Sequence, residues 1–73
     1  MNAITTTDME LLFQELRLRV QNIRHGLADL KLLDYYPEMR GPIFNRKNIN
    51  DEIGYNNQRA MEIIREIKRR DIP

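Results

Sequence analysis

An all-α fold, a single small three-helix domain over residues 1–73, is predicted from three features of this chain. An apolar 4-3 repeat runs through its first half, two X-Pro steps punctuate the middle, and a basic, amide-rich second half is centred on a glycine. Met9, Phe13, Leu16, Val20, Ile23, Leu27 and Leu30 recur at alternating spacings of four and three, which places them on one side of a helix spanning about 8–33. Thr7-Asp8-Met9-Glu10 reads as a capping box at its start, with Met1–Thr6 as a frayed leader. The apolar phase passes unbroken through Gly26, so one continuous helix of about 39 Å is expected despite a helix cost of about 1 kcal/mol for glycine.

The connector spans 34–44. Tyr36-Pro37 and Gly41-Pro42 both push the preceding residue out of helical angles, so the first helix should end by about Tyr35. Asn45 is placed to cap a short helix over about 46–53. Gly54 then closes that helix, and Asn56 or Asn57 caps a last one running to about Arg70.

Composition excludes several classes. At 73 residues there is room for one core, whose net contribution is a few kcal/mol at most. There is no Cys, which removes disulfides, thiolate metal sites and thiol nucleophiles and is compatible with a cytoplasmic location. A single His25 cannot build a histidine metal site, and it shares a column with exposed positions of the first helix. No apolar run approaches the roughly 20 residues of a spanning helix, so no membrane partner is expected. Without Ser, Cys or a glycine-rich phosphate loop, and with carboxylates scattered among Arg and Lys, the chain reads as a non-enzyme needing no metal or other cofactor.

Net charge is +1, distributed unevenly: residues 1–39 sum to −2 and residues 40–73 to +3. The cationic excess therefore lies with the glycine-centred half, where a polyanion would bind. Within that half Ile49, Ile53, Gly54, Tyr55, Ala60 and Ile63 occupy the apolar and glycine slots of a pattern that resembles the helix-turn-helix DNA-binding proteins, over about residues 44–67. Asn50 departs from it, because such families usually place a small residue there.

The resemblance implies a first helix, a turn at Gly54 and a recognition helix entering the major groove of double-stranded DNA. Asn56, Asn57, Gln58, Arg59 and Glu62 would then face base edges, amides reading adenine and guanidinium reading guanine. Arg46, Lys47, Arg65 and Lys68 would neutralise phosphates. The expected function is that of a small DNA-binding regulator, working as a dimer.

The alternative function belongs to another class: a helical protein–protein interaction module such as an inhibitor, adaptor or assembly subunit. In a heptad frame with Phe13, Val20 and Leu27 at a and Leu16, Ile23 and Leu30 at d, that seam is expected to receive the C-terminal helices of the same chain. Leu11, Leu18 and Leu32 then lie on the opposite side at multiples of seven, a candidate surface for a homodimer or a protein partner.

Overall fold

The computed structural model describes residues 2–71, with side chains placed for residues 8–70. The described chain is all-helical: α1 (Asn2–Tyr35), a short 3-10 turn (Pro37–Met39) and α2 (Arg46–Asp71). The two long helices run antiparallel as a hairpin, giving a rod with extents of 54 × 18 × 16 Å. Its radius of gyration is 16.3 Å, against roughly 11 Å for a compact globule of this length.

The connector forms as its residues dictate. α1 stops at Tyr35, immediately before the Tyr36-Pro37 step. Asn45 caps α2, its Oδ1 accepting from the Asn48 backbone N–H at 2.9 Å. Its Nδ2 donates to the carbonyls of Gly41 and Pro42, which ties the cap to the loop before it.

Two expectations about helix boundaries are corrected. α1 begins at Asn2, so Thr7 lies inside a helix and cannot act as its N-cap. Neither glycine nor proline precedes Thr7, and nothing there obliges the helix to stop. Gly26 is helical, as the unbroken phase predicts.

The larger correction is at Gly54. α2 runs straight through it, no glycine takes a positive φ, and the three-helix arrangement with a turn there does not form. The reason is in the packing face of α2. Ile49, Ile53, Asn56, Ala60, Ile63 and Ile67 keep the 4-3 spacing across the glycine, so a continuous helix turns them all to one side, where Ile49, Asn56, Ala60 and Ile63 are buried and Ile53 and Ile67 half-buried. Asn56, as a polar member of this row, hides the periodicity when apolar residues alone are followed.

The face of α1 that meets α2 is also rotated from the expected one. Leu12, Arg19, Gly26 and Leu33 join Leu16, Ile23 and Leu30 in the seam in place of Phe13, Val20 and Leu27, so that Leu16, Ile23 and Leu30 become the a column and Leu12, Arg19, Gly26 and Leu33 the d column. Gly26 explains part of this choice. A Cβ there would lie 2.6 Å from Ile53 Cγ1 and 3.8 Å from Ile49 Cγ2, so the helices approach where α1 has no side chain. The apolar core proper is small: Leu33, Ile49, Ala60 and Ile63, of which Ile63 is the most enclosed at 1% exposure.

Candidate interaction surface

Because the hairpin has only two helices, each has flanks that the other does not cover. The two flanks of this hairpin differ in chemistry.

One flank is polar and closed upon itself. Arg59 of α2 forks onto Glu15 of α1, Nε to Oε2 and Nη2 to Oε1 both at 3.0 Å. Arg19 reaches the same carboxylate at 3.3 Å and donates from Nη1 to Asn56 Oδ1 at 3.1 Å. Asn22 donates to that amide oxygen at 3.4 Å, and Asn56 Nδ2 returns a bond to the Glu52 carbonyl at 2.9 Å. The guanidinium of Arg19 lies over the Tyr55 ring, 5.4 Å from its centroid. Farther along, Arg70 pairs with Asp8 at 3.8 Å.

The hydrogen bond from Arg59 holds the Glu15 carboxyl below its ordinary range, against the opposing effect of burial and with further help from Arg19. The same contact pushes the Arg59 guanidinium up. Arg19 Nε, buried in the seam, finds no acceptor among the described residues.

The opposite flank is apolar and open. Phe13, Val20 and Leu27, one column over from the seam, are 48%, 38% and 52% exposed. Leu16, Ile23 and Leu30 are half-buried beside them. Helical register places Asn50, Asn57 and Ile64 of α2 across from this stripe, because Glu15–Arg59 and Asp8–Arg70 fix the other flank. The result is a shallow groove along the hairpin. Arg17, Arg24 and Lys31 form its outer rim on α1, all exposed and without an ion-pair partner among the described residues.

The expected base-reading residues are not gathered into one outward set. Asn56 is buried at 4% exposure with its amide engaged, because it belongs to the packing row of α2. Arg59 is occupied by Glu15 and lies 3.8 Å from Glu62. Gln58 and Glu62 line the polar cleft with Glu15, Arg19 and Tyr55, whereas register puts Asn57 beside the apolar groove. The uninterrupted α2 leaves no recognition helix with a free N-terminus after Gly54.

Among the expected phosphate contacts, Arg46 is paired with Asp34 and Lys47 lies 3.6 Å from Asp51. Arg65 and Lys68 are exposed, without ion-pair partners among the described residues. Leu11, Leu18 and Leu32 are exposed as expected, along with His25 in the same column, on the side of α1 away from the groove.

Sequence reasoning missed Glu15, Arg19 and Asn22 as partners for α2. The available signal was the column Leu12, Arg19, Gly26, Leu33, which lies beside that of Leu16, Ile23 and Leu30 and holds a small residue at its middle. It also placed Phe13, Val20 and Leu27 inside the core, where the structure leaves them open.

Among the described residues no group of three or more His, Cys, Asp or Glu is placed to hold a metal ion, and no helix is long and apolar enough to cross a membrane. The chain matches no protein-family model, no curated protein and no solved structure.

Proposed function

We propose that the protein is a helical-hairpin module for protein–protein interaction, with α1 as its working surface. One observation carries this reading: Phe13, Val20 and Leu27 stand in register along α1, open to solvent, while α2 closes over the adjacent column. Isolated exposed apolar side chains are ordinary, but a continuous stripe at heptad spacing is what a helix presents to another helix. The small core supports the same view, since a two-helix hairpin with four buried apolar residues among those described gains much by covering a second face.

A photo-cross-linker at Gln21, beside the stripe, tests the proposal in cells. The expected result is one discrete protein adduct, abolished by Leu27→Glu and absent when the cross-linker sits at Gln58. No discrete adduct from Gln21 would sink the proposal. Tight binding to mixed duplex DNA, falling with log salt at a slope of about −0.9 per phosphate, would return the DNA-binding alternative to the lead.

A further inference from the structure

Resting on that reading, we infer that the groove beside Phe13, Val20 and Leu27 docks an acidic amphipathic helix from a partner protein, completing a three-helix bundle. The length suits a helix: from Phe13 to Leu30 the apolar strip extends roughly 26 Å, about five turns. The charge specifies its chemistry. Arg17, Arg24 and Lys31 recur every seven residues on the α1 rim, in phase with the stripe, so carboxylates at heptad spacing on a docked helix would meet each of them. On α2 the corresponding rim column, Lys47, Gly54, Met61 and Lys68, carries no carboxylate, and on α1 the column's one described carboxylate within the helix, Glu10, lies beyond the Phe13 end of the strip.

Gly54 is the second independent sign. It sits inside a long helix with no positive φ, and a Cβ added there would touch nothing within 4 Å. The hairpin's own packing therefore gives no reason for a residue that weakens the helix by about 1 kcal/mol. Its place on the groove rim gives one, because a glycine lets a neighbouring helix backbone come close.

A second copy is a poorer occupant. An antiparallel copy centred on Val20 would set Arg17 of one chain beside Arg24 of the other twice at the middle of the groove, while Glu10, one heptad before Arg17, would meet Lys31 only at the two ends. An anionic bilayer would meet the basic rim. It would also press the Asn50 and Asn57 amides on the groove's far wall toward hydrocarbon, where nothing accepts their hydrogen bonds.

The test uses the full chain and two designed helical peptides of about five turns. Both carry Leu at seam positions, with Glu on both flanks in one and Lys in the other. Fluorescence anisotropy should show one-to-one binding of the Glu peptide, at least about tenfold tighter than the Lys peptide, with the gap closing as salt rises. Val20→Glu and Leu27→Glu should each abolish binding while circular dichroism shows an intact hairpin, and Leu18→Glu on the far side of α1 should leave it unchanged. Gly54→Leu should weaken it. Equal affinity for the two peptides, binding that survives both groove substitutions, or preference for phosphatidylserine vesicles would overturn the proposal. If sedimentation instead shows a dimer abolished by Val20→Glu, the acidic partner falls and the interaction module stands. If no peptide binds and the chain neither self-associates nor cross-links, both fall.

Discussion

Gly26 of α1 lies directly under Ile53 of α2, so close that a methyl group in place of its hydrogen would sit 2.6 Å from Ile53 Cγ1 and 3.0 Å from Cδ1. Cγ1 is next to the branch point of Ile53, not at its free end, so relief requires the helices or the rotamer to move. Gly54, on α2, has open space where its Cβ would be. Two helical glycines thus have opposite physical situations.

Gly54→Ala should stabilise the isolated hairpin by about 1 kcal/mol, raising Tm by about 4–8 °C. Gly26→Ala has the same propensity gain but is opposed by overpacking of about 1–3 kcal/mol, so its net effect should be destabilising. Thermal melts compare the two. A Gly26→Ala variant as stable as Gly54→Ala would contradict the close contact with Ile53.

Asn56 should behave as part of a unit with Arg19. Asn56→Ala removes the acceptor for Arg19 Nη1 in a half-buried site, at a cost of about 1–3 kcal/mol. Replacing both Arg19 and Asn56 with Leu should recover much of that loss, since two apolar residues then meet in the seam. Chemical denaturation of Arg19→Leu, Asn56→Leu and the double yields the coupling. Strict additivity would mean that the two side chains do not cooperate.

The ion pairs give acid sensitivity with a defined sign. Glu66, hydrogen-bonded by Arg69 and then Arg70, is lowered from its usual 4.5 to about 2. A carboxyl depressed by folding contributes stability that is fully present above its unfolded value and is lost as pH falls through the folded one. The last turn of α2 should therefore loosen between about pH 4.5 and about 2. Glu15 shifts in the same direction through Arg59, so acid should also weaken the link between the helices. Carboxyl titration by NMR checks both, and Arg59→Ala should raise the Glu15 value while leaving that of Glu66 in place.

Substitutions in the two apolar columns should differ sharply. Ile63→Ala removes the most enclosed side chain and should cost about 2–5 kcal/mol, enough to unfold a domain this small. Val20→Gln, on the open stripe, should change the stability of the isolated chain by about 0.5 kcal/mol or less. A large loss for Val20→Gln in urea denaturation would place Val20 inside the core after all.

Much of the local structure can be read from the residues. The end of α1 before Pro37, the Asn45 cap and the continuity through Gly26 follow from proline geometry, side-chain capping and unbroken periodicity. Applying the same periodicity rule to Gly54 would have predicted one helix over 46–71, had Asn56 been admitted to the packing row. A buried amide escapes a search for apolar repeats because its burial depends on partners, here Arg19 and Asn22, that lie 37 and 34 residues away.

Helix content, the single long connector and the 4-3 phase of both segments are properties of local sequence, since capping, proline and periodicity act over a few residues. Which face of α1 is covered is not. The columns headed by Leu12 and Phe13 share the same neighbours, Leu16, Ile23 and Leu30, and either could have met a helix. Only the assembled pair selects between them. Gly26 admits Ile53, and Asn56 needs the donors of Arg19 and Asn22, so α2 settles on the Leu12 side and leaves Phe13, Val20 and Leu27 exposed.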